Sequence, residues 1–151
     1  MRAVSLRWVH ESPSFWDADK ARIVGEAPSG IFDSRFRRLR LGALVPGDWF
    51  HAEDEGRRVV GYGWLDASWG DAEIQVATDP NARGRGVGSF ILERLQLEAD
   101  MRGLNYLYNL VRPTHPQLQA TTEWFLKRGF QAVDDGRLVR EARPRASIPP
   151  P

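Results

Sequence analysis

The segment Arg83-Gly84-Arg85-Gly86-Val87-Gly88 lies between an extended apolar run ending at Pro80 and a helical run beginning near Val87. A strand must pass into a helix here through a turn whose glycines open backbone conformations closed to other residues and keep side chains out of its path. Such a turn lets amide N–H groups approach an anion. The helix that follows adds its own unpartnered N–H groups and the positive end of its dipole at the same place. Arg83 to Ser89 is therefore a candidate phosphate loop, with Arg83 and Arg85 adding to its field. The alternative is an ordinary strand-to-helix connection.

Two other glycine-rich loops fit poorly. A P-loop carries Lys and then Ser or Thr directly after its last glycine, whereas Gly88 is followed by Ser89-Phe90. A dinucleotide fold spaces its glycines G-x-G-x-x-G at the start of a βαβ unit. Here the spacing is G-x-G-x-G, and the runs before it read as an antiparallel meander.

Composition narrows the chemistry. A chain of 151 residues is expected to form one domain with a core that needs no staples. Net charge is +1 with acids and bases mixed, so nothing points to nucleic acid or to an anionic membrane surface. With no cysteine there is no disulfide framework, no thiolate metal site and no cysteinyl acyl-enzyme. No metal is expected. Met1 to Phe15 lacks the apolar stretch of a signal peptide and no segment approaches a membrane span, so a cytoplasmic location is the default expectation.

Along the chain, Val4 to Val9 reads as a short strand. Trp16 to Val24 reads as a helix capped by Ser14, and Asp33 to Leu41 as a second helix capped by Asp33 or Ser34. Three extended runs follow, Asp48 to Glu53, Arg58 to Leu65 and Ala72 to Thr78, with turns at Glu55-Gly56 and Ser68-Trp69-Gly70. The glycine loop opens a helix with an apolar stripe through Val87, Phe90, Ile91, Leu95 and Met101, stopped at Gly103. Asn105 to Val111 is the next strand and Gln117 to Arg128 the next helix. Phe130 to Val133 and Leu138 to Arg140 form a final pair joined through Asp134-Asp135-Gly136. The domain is expected over residues 1–143, with a proline-rich, disordered tail over 144–151.

This order, with an arginine-glycine loop between the fourth strand and its helix, resembles the GNAT superfamily of acyl-CoA-dependent N-acetyltransferases. Val76 to Gly88 is similar to that family's strand, proline and Arg-x-x-Gly-x-Gly/Ala loop. Trp124-Phe125-Leu126-Lys127-Arg128-Gly129-Phe130 is similar to the end of its next helix. The resemblance implies an α/β (α+β) fold, with a mixed, mostly antiparallel sheet of about seven strands, helices on both faces, and strands 4 and 5 splayed. Acetyl-CoA, the acyl-donor substrate, would enter that wedge. The backbone of Val76 and Thr78 would bond the pantetheine, while Arg83, Gly84, Arg85, Gly86, Val87, Gly88 and Ser89 would hold the pyrophosphate.

For chemistry, Glu73 is the first candidate for a base acting through water, a role that members of the family often give to a glutamate on this strand. Its alternative role is an arginine pair. His51 and His115 are further proton acceptors, each with a structural role as the alternative. Where the family commonly places a tyrosine that protonates the departing thiolate, this chain has Phe125. The thiolate then leaves unassisted, or Tyr108, Thr121 or water substitutes, or the protein binds acyl-CoA without transferring it. Gly61 and Gly63 lie in a strand, where glycine often marks a bulge or a close backbone approach, and the readings open for them are sheet twist or an acceptor site. Arg112 is either a carboxylate clamp or a partner for a neighbouring acid. Trp16, Trp49, Trp64 and Trp69 line an aromatic pocket or fill a core or dimer interface. The function this implies is transfer of an acetyl group to a primary amine of a small molecule in a ternary complex. A protein or peptide amine is the second reading and a non-catalytic acyl-CoA-binding module the third. A homodimer is compatible with the fold, but no residue pattern establishes one.

Overall fold

A computed structural model describes residues 5–142. The proline-rich tail expected from residue 144, and Val4 of the first expected strand, lie outside the described residues. Seven strands form one sheet in the order β1-β2-β3-β4-β5-β7-β6. They are β1 (Arg7–Glu11), β2 (Asp48–Glu53), β3 (Val59–Ser68), β4 (Asp71–Thr78), β5 (Tyr106–Asn109), β6 (Gln131–Ala132) and β7 (Leu138–Glu141). Every neighbouring pair is antiparallel except β4 and β5, which are parallel. That single parallel step needs a crossover, and α2 (Val87–Met101) supplies it.

Strand alternation divides the apolar residues between two layers. On one face Phe50, Leu65, Ile74 and Leu107 pack against Ile91, Leu92 and Leu95 of α2 and Phe125 of α3 (Leu118–Leu126). On the other, Trp49, Tyr62 and Ala77 pack against Trp16, Ile23, Val24 and Phe36. Trp49 and Trp64 stack with ring centroids 4.4 Å apart. Of the four tryptophans considered for an acceptor pocket, Trp16, Trp49 and Trp64 belong to this core layer, and Trp69 is 98% exposed at the β3–β4 turn.

The segment before β2 departs from expectation. The first helix is a short α1 (Ala18–Lys20) continued by a wider π turn over Ala21–Gly25. Asp17 caps it by accepting from the Lys20 N–H at 2.8 Å, whereas Ser14 donates to Glu11 Oε1 at 2.9 Å. The second helix reduces to a 3-10 turn, Ser34–Arg38, with Asp33 as its cap. It buries only Phe36, too little apolar contact to hold a longer helix.

Gly61 and Gly63 mark a close approach to the backbone. A Cβ on Gly61 would lie 2.7 Å from Ile91 Cδ1 and 2.8 Å from the Ala77 oxygen, and one on Gly63 would lie 2.6 Å from Ile91 Cγ2. These glycines let α2 sit directly on β3. Gly63→Val is expected to overpack this contact and to lower stability by about 1–3 kcal/mol, as measured by urea denaturation.

His51 also has a structural place. Its Nδ1 lies 2.6 Å from Glu11 Oε2 and its Nε2 2.8 Å from Glu53 Oε2. Lys20, fully buried, reaches Glu11 and Asp17 beside it. Burial works against the charged His51, yet its hydrogen bonds to both carboxylates outweigh it and raise its pKa above the ordinary 6.5. Burial likewise opposes the charged Glu11, but His51 and Lys20 pull it from 4.5 down to about 2. The raised histidine stabilises the fold fully below pH 6.5 and loses that contribution as pH rises through its folded value. The depressed glutamate contributes fully above pH 4.5 and loses it as pH falls toward 2. Stability is therefore expected to be highest between these limits, and His51→Gln to flatten the alkaline limb of a urea-midpoint profile.

Candidate active site

The parallel ladder between β4 and β5 is short, pairing only Asp71, Ala72 and Glu73 with Tyr106, Leu107 and Tyr108. Beyond it the strands separate. Asn109 closes the apex by donating from Nδ2 to the Ile74 oxygen at 2.8 Å. On the β3 side, the Asp79 N–H bonds to the Val60 oxygen at 2.8 Å. Antiparallel alternation then turns the backbone groups of Glu73, Gln75 and Ala77 toward β3, and those of Val76 and Thr78 toward the open wedge. Both residues expected to offer backbone hydrogen bonds thus face a gap that β5 does not fill.

At the end of β4, Asp79 anchors the glycine loop. It is 2% exposed, accepts from the Asn81 N–H at 3.0 Å to cap the 3-10 turn Pro80–Ala82, and pairs with Arg22. Arg22 also bonds Asp19 and the Val59 oxygen, so the loop is tied to α1 and β3. Burial alone raises an aspartate, but these donors prevail and hold Asp79 below its usual range. Gly84 and Gly86 take φ of +77° and +78°, and a Cβ on either would meet open space. Gly88 is small for another reason, since its Cβ would lie 3.2 Å from Trp124. Helical bonding begins with the Phe90 N–H to the Gly86 oxygen at 3.0 Å. The N–H groups of Val87, Gly88 and Ser89 are thus left as free donors of the first turn. Arg83 and Arg85 are exposed and form no ion pair among the described residues.

A further cation stands at this helix start and was not anticipated. Arg128 stacks 3.8 Å over the Trp124 ring and donates to Ser89 Oγ at 3.0 Å and to the Trp124 oxygen at 2.9 Å. Burial lowers its pKa, and no carboxylate pairs with it among the described residues. The spacing Trp124, Arg128, four apart on a helix, was the available signal.

The wedge opens on a small cavity lined by Ile31, Phe32, Gln75, Val76, Asn109, Leu110, Val111, Arg112, His115, Thr121 and Phe125. Two loops close over it. A Cβ on Gly30 would lie 2.2 Å from the Thr114 oxygen, so the segment before β2 rests on the turn after β5. Arg112 is paired with Asp33 at 3.8 Å.

The candidates for acid–base work do not all meet here. His115 and Thr121 line the cavity, whereas Glu73 and Tyr108 sit side by side at the last paired rung. Glu73 shares a face with Gln75, about 7 Å along the strand, and forms no ion pair among the described residues. Tyr108 lines a separate open cleft with Asp71, Tyr106 and Val139, and the Arg137 guanidinium lies 4.9 Å from its ring. Burial, then the Glu73 charge, raises its pKa and keeps the phenol protonated. His51 lies far from the wedge in sheet order, in the β1–β2 network.

The description of the acetyltransferase (GNAT) domain family matches residues 46–132, more than half of the chain. The chain belongs to the GNAT acetyltransferase family. Solved members share the fold of this GNAT chain. Escherichia coli ribosomal-protein-S18-alanine N-acetyltransferase matches with a TM-score of 0.65 at 16% identity, over 95% of this chain and 97% of its own. A Sinorhizobium meliloti GNAT superfamily phosphinothricin acetyltransferase, solved with AcCoA, matches with a TM-score of 0.65 at 17% identity, over 93% and 89%. A Staphylococcus aureus Mu50 N-acetyltransferase matches with a TM-score of 0.52 at 20% identity, over 64% and 68%. No curated protein sequence matches the GNAT chain. Among its described residues no helix is long and apolar enough to cross a membrane.

Proposed function

We propose that this protein transfers an acetyl group from acetyl-CoA to the primary amine of a small molecule, by direct attack within a ternary complex. The observation that carries the reading is the wedge. It has two backbone edges, Val76 and Thr78, free to bond an extended amide-bearing arm, and it leads from an anion-ready helix start to a small cavity. Val87, Gly88 and Ser89 offer N–H groups to the pyrophosphate, supplemented by Arg83, Arg85 and Arg128. In this reading the Val76 N–H polarises the thioester carbonyl and holds the oxyanion that develops there.

An alkyl amine of pKa ~10.4 arrives mostly protonated at neutral pH. Glu73, reaching past Gln75 through water, takes that proton and leaves a neutral nucleophile. With no cysteine in the chain, a covalent acyl-enzyme would need an unusual nucleophile. Initial rates with acetyl-CoA and amine both varied are expected to give intersecting double-reciprocal lines. Parallel lines would exclude direct attack.

Gly86→Glu is expected to weaken acetyl-CoA binding by about 100-fold in calorimetry, the scale of one or two lost charge-assisted hydrogen bonds. The side chain would place a carboxylate in the phosphate site and force a non-glycine residue into a left-handed conformation. The fold should survive, because a Cβ there meets open space.

A second reading, a peptide amine as acceptor, is favoured by one feature. The face beside Glu73, with Asp71, Tyr106, Tyr108 and Val139, is an open cleft that could seat an extended chain. Against a small-molecule acceptor site rich in acids, Asp17, Asp19 and Glu53 are occupied by Lys20, Arg22 and His51. A polycationic amine therefore has no free carboxylate cluster among them. Comparing small amines with short peptides as acceptors separates the two readings.

A further inference from the structure

Phe125 leaves the thiolate end of the reaction without a hydroxyl, yet the same helix face carries one a turn earlier. Thr121 lies four residues before Phe125 on α3, so the two side chains project from one face, and both line the wedge cavity. His115, from the turn after β5, fixes how that hydroxyl is used. Its Nδ1 accepts the Gln117 N–H at 2.9 Å, which leaves the ring proton on Nε2. Burial holds the imidazole pKa below the ordinary 6.5, so this neutral tautomer prevails at neutral pH. Nε2 stands 3.4 Å from Thr121 Oγ1. With Nε2–H as donor, the threonine oxygen is the acceptor and its own hydrogen is free for a partner in the cavity. Catalytic hydrogen bonds of this length commonly tighten when substrate binds. Arg112, the cation lining the cavity, is engaged by Asp33.

We propose that Thr121, oriented by His115, donates the hydrogen bond that stabilises the coenzyme A thiolate as it leaves. The proposal rests on the acyl-CoA reading above. In the step, the amine nitrogen bonds to the thioester carbonyl carbon and the C–S bond breaks with its electron pair passing to sulfur. The proton lost by nitrogen goes to water bridged to Glu73. Thr121 keeps its proton while Oγ1–H bonds the thiolate, and the sulfur takes a proton from solvent on release. A net proton transfer from His115 would leave an imidazolate, so the pair acts by hydrogen bonding and His115 is a positioning residue. A thiol of pKa ~8.5 needs this degree of help and no more.

The test uses Thr121→Val, which keeps the volume and removes the hydroxyl, with Thr121→Ser as the variant that retains it. Coenzyme A is bound to each protein and its thiol is titrated by thiolate absorbance. The valine variant is expected to raise the midpoint by about one pH unit, a tenfold loss of thiolate stabilisation, while serine leaves it in place; well below the midpoint, where the thiol is protonated, neither changes coenzyme A affinity. With acetyl-CoA and an amine, kcat is expected to fall about tenfold in Thr121→Val with KM for acetyl-CoA unchanged, and Phe125→Tyr in the same background to recover it. Equal thiol midpoints in wild type and Thr121→Val overturn the proposal and leave acyl-CoA binding standing. Failure of the wild type to bind coenzyme A overturns both.

Discussion

Glu73→Gln is expected to lower kcat/KM for the amine by about 10²–10⁴-fold at neutral pH, the range a positioned general base supplies. The substitution keeps the shape and hydrogen-bonding length of the side chain. Because Glu73 forms no ion pair among the described residues, the denaturation midpoint should not move. The loss should also shrink as pH approaches the amine's own pKa of ~10.4, where the nucleophile is already neutral. A rate defect that persists undiminished at high pH would mean that Glu73 shapes the site and does not take the proton. Acetyl-CoA affinity, measured by calorimetry, should stay at the wild-type value, since Glu73 lies near the start of β4 and the phosphate loop follows its far end.

Lys20→Met carries the largest expected cost to stability, about 3–5 kcal/mol by urea denaturation. Lys20 is fully buried, pairs with Glu11 and Asp17, and lies 5.1 Å from the Tyr62 ring centroid. Methionine fills much of the space but takes the ammonium partner from the Glu11 carboxylate, which is 13% exposed, while Asp17 is half exposed and keeps its solvent. The double variant Lys20→Met, Glu11→Gln should cost less than the sum of its parts, because removing both charges removes the uncompensated burial. Additive costs would mean that the pair contributes little beyond packing.

How much of this was legible beforehand depends on whether the information is local. The passage from β4 through Gly84 and Gly86 into α2 is written in adjacent residues. So are the turn at Ser68-Trp69-Gly70 and the helix stop at Gly103, and the structure carries positive φ at Gly70, Gly84, Gly86 and Gly103. Local pattern failed where few apolar residues leave tertiary contact to decide. Trp16 to Val24 contained a true buried face, but Asp17 displaced Ser14 as cap and the helix widened after Lys20. The Asp33 to Leu41 run, with Phe36 as its only buried side chain within the turn, closed as 3-10.

Partner identity is the other gap. Nothing near His51 in sequence names Glu11, forty residues away, and nothing near Asp79 names Arg22. Gly61 and Gly63 announced a close approach without saying that α2 makes it. Within the candidate site, Val76 and Thr78 were named from the family resemblance, and the structure turns their backbone groups toward the gap between β4 and β5; the loop glycines were legible because turn type is local. At Arg128 only the Trp124 contact, four residues earlier, was local enough to read, whereas Ser89 reaches it only after folding.

The most direct test of the central claim is thiol release from acetyl-CoA by the purified protein, measured with and without each member of a panel of primary amines and short peptides. The account expects at least one acceptor to raise coenzyme A release above the hydrolytic background, with a product heavier by one acetyl group and the increase lost in Glu73→Gln. Saturable acetyl-CoA binding with no amine-dependent release across the panel would contradict it, and would leave a wedge that holds acyl-CoA without transferring its acyl group.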